Sequence, residues 1–249
     1  MFKRMFSVGA LSLAVAVMSL AQVAKADPAD IFDYATATIT WQGVGSSAYD
    51  GQWGTMWEGD GNSSTYYPED DDYTSHNGAV YMGWRDVAFD ADPSISGSFT
   101  ITNISPFTQS FNFLVQMPTA FATGGTTTIN GASILTLNDS GGAAGATLSS
   151  VPGLPLYDAQ VNLVSAQTLF NDPYSLTTTA PNLNFDLESF GPIPGPAVFV
   201  VATLGINHDF QLSPGDTMTL NSRFEIVPEP ATMGLLLLGS VFILRRKIS

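Results

Sequence analysis

The residues best suited to chemistry in this chain are oxygen ligands and aromatic rings. The run Glu69-Asp70-Asp71-Asp72 follows Asp60-Gly61-Asn62-Ser63-Ser64, in which oxygen-bearing side chains alternate. Hard oxygen ligands in a Gly-rich loop suit Ca²⁺. An EF-hand needs Gly at the sixth loop position and Glu at the twelfth. Thr65 and Asp71 stand there, so this is not an EF-hand. A looser Ca²⁺ site built from Asp60, Asn62, Glu69, Asp70, Asp71 and Asp72 is one reading, and a solvated acidic loop is the other. Trp53 and Trp57 lie in the same polar stretch. Exposed, they would stack on sugar rings while Asp and Asn take the hydroxyls; buried, they would cap an open end of the core.

Other chemistry is largely excluded. There are two histidines, His76 and His208, and no cysteine. No lysine lies between positions 27 and 230. Thiol catalysis, Schiff-base chemistry and His-rich zinc sites therefore lack their side chains. No Gly-rich phosphate loop is present. A glycoside hydrolase needs only two carboxylates, and 22 acidic residues supply pairs by chance. Polysaccharide hydrolysis is the one enzymatic reading left.

The two ends of the chain read as addresses. Met1-Phe2-Lys3-Arg4 is basic, Val8 to Ala21 is apolar, and Ala24-Lys25-Ala26 is a small-residue cleavage site, the order of a secretory signal peptide over 1–26. At the other end, Val227-Pro228-Glu229-Pro230 is followed by an uncharged apolar run, Ala231 to Leu244, and then Arg245-Arg246-Lys247. That run gives about 21 Å of helix, short of the roughly 30 Å core of a bilayer. It is long enough to enter a membrane and marginal as a permanent span. The basic cluster would stay on the cytoplasmic side. Each proline fixes φ and lacks an N–H, so Pro-Glu-Pro stays extended and accessible.

Only Arg85 and Arg223 remain basic between Asp27 and Pro230, against all 22 acids, a formal charge of −20. Such a surface repels nucleic acid and anionic lipid. An exported domain without disulfides must be held by its core, and about 200 residues can bury one.

The order of residues from Val227 to Lys247 resembles the PEP-CTERM sorting signal of exported bacterial proteins. The resemblance implies handling by exosortase, a membrane transpeptidase-like enzyme thought to cut near Pro-Glu-Pro. It also implies a Gram-negative source that makes exopolysaccharide. The chain would sit transiently in the inner membrane and then pass to the cell surface or extracellular matrix. On this reading 228–249 is the sorting signal with a short membrane helix.

The remainder, 27–227, reads as one all-β domain. Ala35 to Gln42 alternates, with Ile39 and Trp41 facing a core. Gly43 to Ser75 reads as long loops, and Ala79 to Ala88 as a strand. Ile95, Phe99 and Ile101, then Phe111, Phe113, Val115 and Met117, suggest an antiparallel hairpin turning at Asn103 to Thr108. Asn130-Gly131 has the signature of a tight type I′ turn. Leu156 to Leu169 suits a strand or a short helix. Ala197 to Leu212 reads as a strand in the middle of a sandwich. Met218, Leu220, Phe224 and Ile226 then alternate with Thr217, Thr219, Asn221, Arg223 and Glu225 up to the sorting signal. Many short strands and turn signals imply a single antiparallel two-sheet β-sandwich, jelly-roll-like. The segments 92–118 and 206–216 resemble β-rich exported domains found upstream of this signal, which have no assigned activity. The expected role is a non-catalytic surface or matrix protein associated with exopolysaccharide; a carbohydrate-binding module with an acidic Ca²⁺ loop is the alternative.

The sorting reading has a direct consequence. Replacing Pro228, Glu229 and Pro230 with Ala should leave the protein unprocessed in the inner membrane. Intact mass of protein recovered from the cell surface checks it: wild type should lack Arg245 to Lys247, and a surface product that retains them rules out cleavage here.

Overall fold

A computed structural model describes residues 36–42, 49–50, 57–59, 64–66, 71–74, 80–90, 94–119, 127–140, 145–179, 182–195 and 202–228. The signal-peptide segment, and the sorting signal from Glu229 on, lie outside them. The described residues form strands and turns and contain no helix. Among the described residues, sixteen strands build two antiparallel sheets packed face to face.

The first sheet holds β1 (Thr36–Gln42), β2 (Tyr49–Asp50), β8 (Gln109–Thr119), β10 (Ala146–Ser150), β11 (Tyr157–Val161), β12 (Val164–Leu169), β13 (Ser175–Thr178) and β15 (Ala202–Leu212). Its order is β12-β11-β15-β8-β1-β2, with β10 pairing β13 and β15. The second sheet holds β3 (Trp57–Gly59), β4 (Ser64–Tyr66), β5 (Asp71–Thr74), β6 (Val80–Asp90), β7 (Ser94–Asn103), β9 (Thr127–Asn138), β14 (Leu183–Pro194) and β16 (Thr217–Pro228). Its order is β14-β9-β16-β7-β6-β4-β3, with β5 on β6.

Alternation sets the inward faces as expected. Ile39 and Trp41 of β1 are buried, as are Phe111, Phe113, Val115 and Met117 of β8, and Met218, Leu220, Phe224 and Ile226 of β16. β15 lies in the interior of the first sheet, between β8 and β11. The ambiguous stretch 156–169 is a hairpin of β11 and β12. Its two-residue turn places Asn162 and Leu163 at φ of 55° and 61°, the left-handed pair a type I′ turn requires.

Three expectations are corrected. First, β7 and β8 are not a hairpin. β7 pairs β6 and β16, whereas β8 pairs β1 and β15 in the opposite sheet. Their apolar faces meet across the core instead, with the Phe99 and Phe113 rings 4.7 Å apart. Second, Asn130-Gly131 is not a turn but the middle of β9. A Cβ on Gly131 would lie 2.4 Å from the Phe190 ring, so the glycine permits a close approach across the strand pair. Third, the stretch 43–75 is not all loop, because β2 to β5 fall within it.

The connection 104–108 can cross between sheets because Asn103 holds it. Asn103 is fully buried. Its Nδ2 donates to the carbonyls of Phe107 (2.7 Å), Leu212 (2.8 Å) and Ser213 (3.1 Å). Its Oδ1 accepts from the Ser105 N–H and hydroxyl at 3.1 and 2.7 Å. Its main chain exchanges bonds with Gly215 and Asp216. Leu212 ends β15 and Asp216 precedes β16, so one side chain ties two sheet-to-sheet connections together.

Asn103→Ala should therefore cost about 3 kcal/mol or more, since buried carbonyls lose donors at about 1–3 kcal/mol each. Asn138→Ala, on the exposed end of β9, should stay within about 0.5 kcal/mol. Chemical denaturation of both variants measures this, and equal losses would refute the role given to Asn103.

Candidate functional site

The outer face of the second sheet carries the candidate site. In antiparallel pairs, residues directly opposite each other share a face. The register therefore sets out cross-strand rows from β6 to β14. One row runs Arg85, Ser98, Asn221, Ile134, Leu187; the next on one side has Ala88, Ser96, Arg223, Ala132, Ser189. On the other side lie Gly83, Thr100, Thr219, Thr136 and Phe185. Small side chains dominate the middle of these rows. They leave an open depression of about 340 Å³, lined among others by Asp86, Ser96, Ser98, Asn221, Arg223 and Leu187.

Two local features shape its margins. β6 carries a bulge between Arg85 and Ala88, where Asp86 takes φ 52°. A bulge re-aims side chains and often borders a site; here Arg85 and Asp86 are both exposed. At the opposite margin, β14 has reversed polarity. Its inward acids are anchored: the Phe170 N–H donates to Glu188 at 2.6 Å, and the Tyr174 hydroxyl donates to Asp186 at 3.2 Å. Burial first, then the Asp186 charge, pushes the Tyr174 phenol well above its usual range. Leu183, Phe185 and Leu187 are left facing outward, with Phe185 66% exposed. An apolar ridge thus borders a polar hollow. Beside them, Thr100 and Thr219 are hydrogen-bonded at 3.1 Å, and Thr102 and Thr217 at 2.9 Å. Arg223 reaches Glu225 at 2.6 Å on the exposed surface.

The floor is fixed from within the sandwich. The Tyr157 hydroxyl on β11 donates to the Arg223 carbonyl at 2.9 Å. Burial, and secondarily the Asp158 charge, holds that phenol far above its ordinary value. Ser222 faces inward, 2.8 Å from Ser133 and 3.1 Å from His208 Nε2. Ser222 and His208 are a hydroxyl and an imidazole at catalytic distance, but both are buried and, among the described residues, no carboxylate orients the ring. Nδ1 makes no well-formed hydrogen bond, although the nearby Leu156 carbonyl slightly favours the proton. Burial dominates and lowers the His208 pKa to about 3. This pair stabilises the packing and cannot meet a substrate.

The outer face of the first sheet is polar in a different way. Asn112 donates to Asn207 (2.9 Å) and Asp209 (2.8 Å), and Asn207 donates to Asp209 at 2.6 Å. Partial burial raises the Asp209 pKa against those two bonds, and Asp158 adds to the rise.

Of the residues singled out from sequence, Trp53, Asp60, Asn62, Glu69 and Asp70 lie outside the described residues, as do Glu229, Pro230 and Arg245 to Lys247. The backbones of Trp57, Asp71 and Asp72 are described. Trp57 is opposite Tyr66, Asp71 opposite Trp84 and Asp72 opposite Gly83. Val227 and Pro228 end β16, opposite Thr128 and Thr127. Among the described residues no group of three or more His, Cys, Asp or Glu is placed to hold a metal ion. The ridge on β14 was missed, yet Leu183, Phe185 and Leu187 alternating with Asn184, Asp186 and Glu188 is a strand signal of period two.

No family model and no curated protein matches this chain. Among solved structures it is similar to the carbohydrate-binding module TmCBM61 in complex with β-1,4-galactotriose, at 8% identity over 64% of this chain and 88% of that one, TM-score 0.28. It is similar to the mannan-recognising module TmCBM27, at 13% identity over 65% and 98%, TM-score 0.23. It is also similar to the adhesin domain of Epf from Streptococcus pyogenes, at 9% identity over 76% and 57%, TM-score 0.24. Superpositions at these TM-scores transfer neither a ligand nor a binding residue.

The buried imidazole gives the fold a pH signature. The His208 pKa lies below its unfolded value of 6.5. As pH falls through 6.5 the unfolded chain takes up a proton that the native state refuses. Its contribution is complete above 6.5 and is lost as pH falls toward 3, with a slope of at most about 1.4 kcal/mol per pH unit. Stability measured between pH 4 and 7 should fall more steeply for wild type than for His208→Gln. Parallel curves would show that His208 is not buried neutral.

Proposed function

We propose that this chain is an exported, non-catalytic, jelly-roll-like β-sandwich that holds polysaccharide at the cell surface or in the matrix. The observation that carries this is the depression on the second sheet, with the Phe185–Leu187 ridge at its edge. Sugars present apolar ring faces and many hydroxyls. The Phe185 ring stands in the row of Thr136, Thr219 and Thr100, and Leu187 borders the Ser, Asn, Asp and Arg side chains of the hollow; together they suit both, and an open hollow admits a chain rather than a small enclosed ligand. Export rests on the signal-peptide order at 1–26 and the Pro-Glu-Pro, apolar, basic order after Val227. Exosortase is the partner those residues imply. β16 ends at Pro228, the first residue of Pro-Glu-Pro.

The test is retention of the full chain on immobilised galactan, mannan and polygalacturonate. Wild type should be retained by at least one polymer without releasing sugars from it. Phe185→Ala should weaken that binding roughly threefold to tenfold, and Asn221→Ala should weaken it as well. Failure of all three polymers to bind, or binding unchanged by both substitutions, refutes the reading.

A further inference from the structure

The hairpin tip between β11 and β12 is apolar where a turn is ordinarily polar. Leu163 and Val164 are 62% and 67% exposed. Asn162 and Leu163 take left-handed φ of 55° and 61°, a geometry that Gly and Asn adopt most readily. A leucine there is disfavoured by its backbone and by its contact with water, so neither turn preference nor solubility accounts for it. The tip is nonetheless firmly held. The Asn162 N–H donates to the Thr203 carbonyl at 2.7 Å, and Asn162 Oδ1 accepts from the Thr203 N–H at 3.0 Å.

That contact fixes which end of the sandwich the tip occupies. β15 and β16 meet at the turn 213–216, so Thr203, near the start of β15, and Val227, near the end of β16, both lie at the other end. Val161 stands opposite Leu204 there. The chain leaves the sheet at this end, and the apolar run Ala231 to Leu244 begins three positions after Pro228. Among the described residues, 127–129, 161–164, 193–195, 203–204 and 226–227 at this end carry no charge, in a domain of formal charge −20. The first acids met along β11 and β16 are Asp158 and Glu225, and Glu225 is paired with Arg223.

We infer that the 162–164 tip is a lipid-contact site, with Leu163 and Val164 entering the interface of a bilayer beside the C-terminal apolar run. This step rests on the export reading above, which puts that run in a membrane. Apolar side chains on a preformed hairpin need no further ordering, and their gain grows with the apolar area they bury. Two side chains alone hold a membrane weakly. Tethering through Pro228 makes the contact intramolecular and raises its effective concentration. An uncharged end approaches lipid without the repulsion that the rest of the acidic surface meets. The same acidity opposes a second copy of the chain as the occupant of the tip.

The chain has no cysteine, so single cysteines can carry an environment-sensitive fluorophore. Full chain labelled at Ser165→Cys, Thr108→Cys or Leu237→Cys is reconstituted into phosphatidylcholine vesicles that contain a lipid-borne quencher. Ser165 adjoins the tip, and Thr108 lies at the opposite end beside the exposed Ile104 and Phe107. Leu237 reports on the apolar run. The Ser165 label should be quenched several-fold more than the Thr108 label, and added salt should not weaken this. Leu163→Ser/Val164→Ser should abolish it while melting with wild type and leaving quenching at Leu237 unchanged. Quenching at Leu237 without quenching at Ser165, equal quenching at Ser165 and Thr108, or quenching that survives the double substitution overturns the tip contact and leaves the export reading standing. Absence of quenching at Leu237 overturns the membrane reading of 231–244. Quenching at Ser165 then still supports the tip contact, and its absence overturns both.

Discussion

A single buried carboxamide decides which strands belong to which sheet. The connections 104–108 and 213–216 both leave one sheet and enter the other. A backbone that crosses a corner gives up ladder partners, and buried polar groups must find others. Asn103 supplies them. Its two amide hydrogens serve three carbonyls, so one hydrogen is shared, while its oxygen accepts from Ser105 twice. No apolar side chain could do this, and a carboxylate could not donate. The strands that flank these corners, β7, β8, β15 and β16, form the centre of both sheets. The corner therefore sets the register of everything that packs on them.

β16 transmits that constraint to the outer face. Its inward residues alternate with the outward ones one position apart, so a slip by one would exchange core and surface. Apolar packing alone tolerates such slips poorly, and polar bonds tolerate them less. Ser222 meets Ser133 and His208, and the Arg223 carbonyl meets the Tyr157 hydroxyl. The bonds to His208 and Tyr157 connect the second sheet to the first through the core, and the Ser222–Ser133 bond ties β16 to β9 within the second. They hold Asn221 and Arg223 outward at fixed positions over the depression. The imidazole is kept neutral to allow this, since a charge between Phe113 and Tyr157 would be desolvated without a partner.

The strand faces were legible in the sequence, and their partners were not. Period-two alternation gives the inward face of β1, β7, β8 and β16, because burial acts on each strand by itself. It contains no term for pairing. Phe99 and Phe113 are read as inward whether their strands lie side by side or face each other across the core. The corner depended on Asn103, one polar residue whose partners include Leu212 and Ser213, 109 and 110 positions away. Asn130-Gly131 misled for a related reason: glycine marks close approach as well as turns, and the Phe190 ring that needs the space comes from β14. Arg223 and Asn221 were legible as outward. That Asn221 shares a cross-strand row with Arg85 required the β6–β7–β16 order, which no local pattern encodes.

β14 shows why the outer face is more than leftover surface. An edge strand commonly turns apolar residues inward and polar ones to water, and inward charges guard it against pairing with another chain. Here the inward charges are present and their cost is offset by the Phe170 N–H and the Tyr174 hydroxyl. Reversing the phase of the strand would bury Leu183, Phe185 and Leu187 and expose the acids, with no need for those bonds. The observed phase leaves three large apolar side chains in water beside a hollow, an arrangement that stability alone does not favour. It gains sense when something apolar on one face and polar on its edges, such as a sugar ring, covers the ridge. On the proposed polysaccharide reading, the strand at the edge of the sheet supplies the apolar wall of the binding face.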